Sequence, residues 1–190
     1  EIGHTLGFAH NFAASAKNRT SVMDYPHPKL KLIDGKINYK DAYKDGIGDW
    51  DKISVAYSYS DFPESIEEDK ALQSILKKSI KEGHKFISDY DARPIGGAHP
   101  SAHLWDNGDN AVNELRNILK IRKIALDNFY INHIKENEAV SLLEDRLVPI
   151  YLLHRYQVEA VSKIIAGQEY SYAVKTDGNV PKTTIVNKNF

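Results

Sequence analysis

The first ten residues, Glu1-Ile2-Gly3-His4-Thr5-Leu6-Gly7-Phe8-Ala9-His10, decide which fold the sequence predicts. Glu1, His4, Gly7 and His10 fill the last four fixed positions of the pattern H-E-x-x-H-x-x-G-x-x-H. The first histidine of that pattern would stand directly before Glu1, and the sequence does not contain it. An amphipathic helix with incidental histidines is the alternative, but four residue types at fixed spacing argue against it.

These residue types suit a catalytic zinc site. Such a site keeps three protein ligands, with Zn–N bonds of roughly 2.0–2.1 Å, and leaves a fourth position open for water or substrate. The metal lowers the pKa of its bound water towards about 7, and a carboxylate completes the activation. We therefore expect His4 and His10 to supply two of the three ligands and Glu1 to act as the general base. Gly7 suits the sharp end of the helix because glycine tolerates a positive φ.

A second motif follows at Ser21-Val22-Met23-Asp24-Tyr25-Pro26, and it contains the only methionine of the chain. This stretch resembles the Met-turn of metzincin proteases, with its pattern S-x-M-x-Y. The resemblance implies that Met23 forms a hydrophobic floor beneath the zinc site. It also implies that Tyr25 is a catalytic residue whose hydroxyl is close to the metal or stabilises an oxyanion. An ordinary tyrosine in a turn before proline is the alternative for Tyr25.

Four further segments resemble a family of large bacterial zinc-dependent metalloproteases of the metzincin type. They are G-D-W-D-K at 48–52, D-A-R-P at 91–94, H-L-W-D-N-G at 103–108 and Y-L-L-H-R-Y-Q at 151–157. The resemblance covers nearly the whole chain. It implies that residues 1–190 are a single internal piece, truncated at both ends, of a longer exported protein. It also implies zinc as cofactor, a peptide or protein as substrate, and the upstream half of the same catalytic domain as a partner.

The composition is that of a globular protein and excludes several function classes. Hydrophobic residues make up 42% of the chain and charged residues 27%, which are ordinary values for a folded domain. A formal net charge of −1 argues against a general nucleic-acid surface. No apolar run is long enough to predict a membrane span. The absence of cysteine excludes disulfides and thiol catalysis.

Hydrophobic periodicity predicts a mainly α fold. The resemblance implies that this fold is the helical C-terminal part of a metzincin-like catalytic region. Residues 1–30 are expected to hold the end of the active-site helix, the third-ligand turn and the Met-turn. Residues 31–190 are expected to form a helical subdomain of about five helices, with a long irregular loop at 88–110. A short strand-like tail should begin at Gln168 and turn at Asp177-Gly178.

Local signals predict several boundaries within this fold. Residues 11–20 are expected to be a polar connector, and Asp34-Gly35 to form a turn. Pro63 stands where a helix should begin. Pro149 should kink or break the helix in which it lies.

The loop at 88–110 is the second region with a functional hypothesis, because long loops without regular structure are often functional. We hypothesise that it lines the substrate side of the zinc cleft, with Arg93, His99, His103 or Trp105 contacting a peptide. The alternative is a structural loop whose aspartates cap helices and whose tryptophan fills a core.

The sequence thus predicts zinc-dependent hydrolysis of peptide bonds by the longer protein. The 190-residue chain alone is expected to bind zinc poorly and to cleave no peptide, because it lacks the first histidine. Apolar surface near residues 1–30 is expected to promote association. Two alternatives stay open: a non-catalytic helical scaffold or binding domain of a degenerate metalloprotease, and a zinc hydrolase of another substrate such as a small amide.

Overall fold

The computed structural model describes residues 1–174 and 182–187. Within them the fold is mainly helical, and five of its α-helices have eight or more residues, so the prediction of a mainly α fold with about five helices is confirmed. No helix in these two ranges is long and apolar enough to cross a membrane. The α-helices are α1 (Ile2–Thr5), α2 (Asp49–Tyr59), α3 (Glu68–Lys81), α4 (Asp89–Ala92), α5 (Ala111–Asp127), α6 (Leu142–Tyr151) and α7 (Arg155–Ser162). The remaining elements are two 3-10 helices, Phe12–Lys17 and Ile131–His133, and the strands β1 (Lys31–Ile33), β2 (Lys36–Asn38), β3 (Gln168–Glu169) and β4 (Thr184–Ile185).

Residues 12–17 form a largely buried 3-10 helix, so the expectation of a polar connector over residues 11–20 was wrong. Phe12 is completely buried and packs in one core with Ile87 and neighbouring small residues. The Asn11 side chain donates to the Lys85 carbonyl at 2.9 Å, and the Phe12 amide donates to the Ile87 carbonyl at 2.9 Å. Hydrogen bonds to a segment that is distant in sequence therefore bury this stretch. The hydrophobic periodicity of the stretch itself does not predict this burial.

The turn at Asp34-Gly35 joins β1 and β2 into an antiparallel hairpin in which Leu32 pairs with Ile37. Asp34 has a φ of 49°, in the left-handed region that two-residue hairpin turns require. The hairpin lies against α5, whose Asn117 side chain donates to the Leu30 carbonyl at 3.2 Å. The predicted turn is thus present, and it connects two strands that the sequence did not predict.

The second half of the chain is built around α5, which packs against α6 and α7. Ile118 and Ile121 of α5 are buried, and Ala111 meets Ala160 and Ile164 in a small apolar core. Arg122 links α5 to α6 by donating to the Tyr151 carbonyl at 2.8 Å. This helical layer supports the loop that reaches the candidate site.

The helix boundaries predicted at Pro63 and Pro149 lie a few residues further along the chain in the structure. Pro63 lies in a turn in which the Ile66 amide donates to the Pro63 carbonyl at 2.8 Å, and α3 begins only at Glu68. Pro149 lies inside α6, which continues to Tyr151 before it ends. Each proline therefore lies near a helix boundary but not at the residue where the helix begins or ends.

The tail beyond α7 pairs in a short antiparallel ladder of β3 with β4. The Gln168 amide donates to the Ala98 carbonyl at 2.9 Å, which ties the tail to the loop at 88–110. That loop is irregular apart from the four residues of α4. The turn predicted at Asp177-Gly178 lies outside the described residues.

Candidate metal centre

The chain reverses direction between His4 and His10 because α1 ends at a glycine. Gly7 has a φ of +84°. The Gly7 amide donates to the His4 carbonyl at 2.9 Å, and the Phe8 amide donates to the Gly3 carbonyl at 3.0 Å. This pair of bonds is the Schellman arrangement, which ends a helix and turns the chain away from its axis. The reversal brings His10 back towards His4.

The imidazole rings of His4 and His10 converge on a common point. Their Nε2 atoms lie 3.1 Å apart, and the ring planes are 87° from parallel. Two nitrogens bound tetrahedrally to one zinc ion at roughly 2.0–2.1 Å lie about 3.3–3.4 Å from each other. The observed separation is close to that value, so the two rings already have the spacing of ligands to one metal ion.

The opposite nitrogens of both rings have acceptor-only partners. His4 Nδ1 donates to the Phe8 carbonyl at 2.9 Å, and His10 Nδ1 donates to Asp89 Oδ2 at 2.8 Å. Because a carbonyl and a carboxylate only accept, each neutral ring carries its proton on Nδ1 and directs an Nε2 lone pair at the other ring. Two lone pairs at this distance repel each other unless a cation lies between them. The donor set therefore fits a metal ion.

The described part of the chain supplies fewer than three metal ligands at this point. Within it, no group of three or more histidine, cysteine, aspartate or glutamate side chains could together hold a metal ion. Glu1 is exposed, and its carbonyl accepts from the Thr5 amide at 3.2 Å, so it stands one helical turn before His4. A zinc site at His4 and His10 needs a further protein ligand.

Met23 lies directly beneath α1. Its side chain is buried, and a methyl group added at Gly3 would overlap its sulfur and lie 3.2 Å from its Cε. The Met23 carbonyl accepts from the Asn11 amide at 2.7 Å, next to His10. Met23 thus contacts Gly3, which precedes His4, and Asn11, which follows His10. Its role as the floor of the site stays a prediction.

Replacing Gly3 with alanine should destabilise the protein by about 1–3 kcal/mol, the usual cost of an overpacked contact. The sign is informative, since alanine ordinarily stabilises a helix by about 0.5–1 kcal/mol relative to glycine. Chemical denaturation measures the difference. Gly96→Ala is the matched control because the space around Gly96 is open. The close packing described here would be wrong if Gly3→Ala were as stable as the wild type.

A buried carboxylate holds the turn that carries Met23. Asp51 Oδ1 accepts from the Ser21 hydroxyl at 2.6 Å, and Asp51 Oδ2 accepts from the amides of Val22 at 3.0 Å and Gly48 at 2.6 Å. The Ser21 oxygen in turn accepts from the Met23 amide at 2.9 Å. Sequence analysis did not find Asp51. The available signal was its place in the first turn of α2, where a carboxylate can accept from the residue that precedes the helix.

Tyr25 lies beside His10 in a row of aromatic rings. The centroid of its ring is 4.9 Å from that of His10, 5.8 Å from that of Trp105 and 6.2 Å from that of Phe12. The Trp105 amide donates to the Tyr25 carbonyl at 2.6 Å. This arrangement places the predicted tyrosine next to a candidate metal ligand, and it places Trp105 of the loop at 88–110 next to that tyrosine.

The two histidines of the loop at 88–110 favour the alternative that it is a structural loop. His99 is completely buried; its Nε2 donates to the Tyr170 carbonyl at 3.0 Å, and its Nδ1 accepts from the Ser101 amide at 3.2 Å. His103 is also buried, and burial, followed by the charge of Lys163, lowers its pKa to about 4. Neither ring is exposed enough to meet a peptide in this conformation.

Asp89 is the residue of this loop that reaches the candidate site, and sequence analysis did not single it out. It lies 79 positions from His10 along the chain. Its other oxygen, Oδ1, accepts from Arg93 Nε. Burial alone would raise the pKa of the Asp89 carboxyl, but the hydrogen bonds from Arg93 and His10 outweigh that effect and lower it. Asp89 is therefore a carboxylate held against Nδ1 of a candidate metal ligand.

Asp24 gives the turn of Met23 a pH-dependent stability. Burial raises the pKa of its carboxyl from an ordinary value of 3.8 to about 7. Because the folded state then holds a proton that the unfolded state has lost, Asp24 opposes folding increasingly from about pH 4 to pH 7. His27 and His103, with pKa values lowered to about 4 by burial, act in the opposite direction.

Asp24→Asn isolates this contribution, because asparagine cannot ionise. Its free energy of unfolding relative to wild type should rise by about 2–3 kcal/mol between pH 5 and pH 8. Urea denaturation at the two pH values measures it, with the exposed Asp61→Asn as control. Equal differences at both pH values would show that Asp24 is ionised in the folded state throughout this range.

The chain was compared with protein families, curated proteins and solved structures. A family model described as Met-zincin matches residues 1–189. No curated protein and no solved structure matches the chain.

Proposed function

This chain belongs to the Met-zincin family, which is of zinc metalloprotease type, and from that premise we propose that it carries two ligands and the general base of a metalloendopeptidase. The observation that supports the proposal most strongly is the 3.1 Å separation of the His4 and His10 Nε2 atoms, with both Nδ1 atoms occupied. A third ligand completes the site in this proposal. The motif places it as a histidine directly before Glu1, supplied by the upstream half of the same catalytic domain.

Bound zinc would supply a water of lowered pKa and a Lewis acid for the scissile carbonyl. Glu1 would take a proton from the attacking water and return it to the departing amine nitrogen, as a general base and then a general acid. The Tyr25 hydroxyl would donate a hydrogen bond to the oxyanion that develops on the substrate. His4 and His10 would hold the metal, and Met23 would fix the height of α1 beneath it.

Exposed apolar side chains around the site are consistent with an upstream partner. Ile2 is 79% exposed, Leu6 40% and Val22 55%. Apolar side chains that together form a contiguous exposed surface mark interaction sites. We place the upstream half of the domain against these side chains, and we place the whole protein outside the cytoplasm, as the resemblance implies.

Hydrolysis of peptides by a longer chain that includes the upstream half tests this proposal. We expect cleavage within folded or denatured protein substrates, loss of cleavage with a zinc chelator, and recovery when zinc is returned. The 190-residue chain alone should cleave nothing. A longer chain that binds zinc but cleaves only small amides would replace the peptidase by the hydrolase alternative.

The non-catalytic alternative rests on the incomplete ligand set of the described residues. In a scaffold, the longer protein would bind its partner equally well with and without zinc, and Glu1→Gln would leave its function intact. Peptide cleavage that depends on both zinc and Glu1 excludes that alternative.

A further inference from the structure

The turn at residues 88–93 brings a carboxylate to the back of one candidate metal ligand. His10 Nδ1 donates to Asp89 Oδ2 at 2.8 Å, with 15% of the His10 side chain and 36% of the Asp89 side chain exposed. We propose that Asp89 is a positioning residue of the metal centre, which fixes the tautomer and orientation of His10 so that its Nε2 lone pair faces the metal. This inference rests on the proposed function, because it assigns His10 as a ligand.

The carboxylate is itself held in a defined orientation. Arg93 Nε donates to Oδ1, so the two oxygens of Asp89 have different partners and the group cannot rotate without losing one of them. The Arg93 guanidinium in turn lies 5.6 Å from the centroid of the Phe12 ring. Phe12 is completely buried and follows His10 by two residues. Arg93 therefore contacts both Asp89 and the segment that carries His10.

The turn that carries Asp89 is anchored from a distant part of the chain. Asp91 accepts hydrogen bonds from the hydroxyls of Tyr170 and Tyr172. The Tyr172 oxygen also accepts from the Ser88 amide at 3.1 Å. The two tyrosines that follow β3 therefore fix the positions of Ser88 and Asp91, and Asp89 lies between these two residues.

The chemical consequence follows from what a carboxylate can do. It accepts and does not donate, so it selects the His10 tautomer with the proton on Nδ1. Its negative charge also strengthens a metal bond made by the ring at Nε2. Carboxylates in this relation to a ligating histidine typically change metal affinity by about 10–100-fold when they are removed. His4 Nδ1 donates to the neutral Phe8 carbonyl instead. Of the two rings, His10 alone therefore has a charged hydrogen-bond partner at Nδ1.

Nuclear magnetic resonance of the imidazole nitrogens tests the inference in the longer protein, which supplies the third zinc ligand. The wild type, Asp89→Ala and Asp89→Asn are compared without metal and during titration with zinc chloride, following His4 and His10 separately. We expect wild-type His10 to carry its proton on Nδ1, and Asp89→Ala to populate both tautomers. The zinc concentration at half-saturation of His10 should rise about 10–100-fold in Asp89→Ala.

Asp89→Asn replaces one of the two acceptor oxygens by an NH2 donor. Because Arg93 Nε can only donate, the remaining oxygen should face Arg93 and the amide nitrogen should donate to His10 Nδ1. This variant should therefore shift His10 to the tautomer with the proton on Nε2 and weaken zinc binding. This variant also guards against misinterpretation if Asp89→Ala is poorly folded. Asp127→Ala is the matched control: it removes an exposed carboxylate whose partner is Lys123, at the end of α5. Its zinc midpoint should stay within about twofold of wild type.

The possible failures are distinguishable. An unchanged His10 tautomer and an unchanged zinc midpoint in Asp89→Ala would overturn the role of Asp89 and leave the metal site standing. If zinc shifted neither His4 nor His10 in the longer protein that supplies the third ligand, the metal site of the proposed function would itself be contradicted.

Discussion

Replacing Glu1 with glutamine is expected to lower peptide hydrolysis by the longer protein by about 10²–10⁴-fold. Glutamine has nearly the same shape, but it cannot take a proton from water. Glu1 lies one helical turn before His4, at the start of α1. Glutamine at this position leaves the hydrogen bond from the Thr5 amide to the carbonyl of residue 1 intact. The loss should therefore appear in kcat, with zinc content unchanged.

Two comparisons make this result interpretable. His4→Ala should abolish activity together with zinc binding, because the site then loses a ligand. Glu1→Gln should separate the two properties, keeping zinc and losing turnover. A glutamine variant with more than about a tenth of wild-type activity would remove Glu1 from the mechanism and would favour another base.

Asp51→Ala is expected to cost about 3 kcal/mol or more in stability. The substitution leaves the amides of Val22 and Gly48 and the hydroxyl of Ser21 without their acceptor. The hydrogen bonds of Ser21 and Gly48 are buried, and that of Val22 is partly buried. Each such group costs about 1–3 kcal/mol when it stays unpaired. Because the same carboxylate holds the turn of Met23, zinc affinity should fall along with stability.

Asp49→Ala provides the matched control for this experiment. Asp49 lies two residues earlier in α2 and pairs with Lys52 at 3.1 Å, with 65% of its side chain exposed. Exposed pairs of this kind contribute little to stability. Similar losses in the two variants, measured by chemical denaturation, would mean that the buried hydrogen bonds of Asp51 do not stabilise the turn.

Sequence alone predicted the features that depend on short-range spacing. The interval between His4 and His10, with a glycine between them, is sufficient to predict a helix that ends and returns. In the structure the Nε2 atoms of His4 and His10 lie 3.1 Å apart and Met23 lies beneath Gly3, while their roles as metal ligands and as floor of the site stay predictions. The mainly helical character also follows from periodicity, because α3, α5 and α7 each have a clear apolar side.

The supporting residues could not be predicted in this way, because their partners are remote. Asp89 meets His10 across 79 positions and Asp51 meets Ser21 across 30, and neither aspartate differs locally from the other acidic residues of the chain. The same reason explains the buried 3-10 helix at residues 12–17, whose small side chains carry no periodic signal. The histidines of the loop at 88–110 attracted attention by residue type, yet both are buried.

A crystal structure of the zinc-loaded longer protein, with diffraction data collected on both sides of the zinc absorption edge, tests the central claim most directly. We predict one zinc ion at roughly 2.0–2.1 Å from the Nε2 atoms of both His4 and His10, with Met23 beneath it. Zinc bound at other residues, with His4 and His10 turned away from each other, would contradict the account.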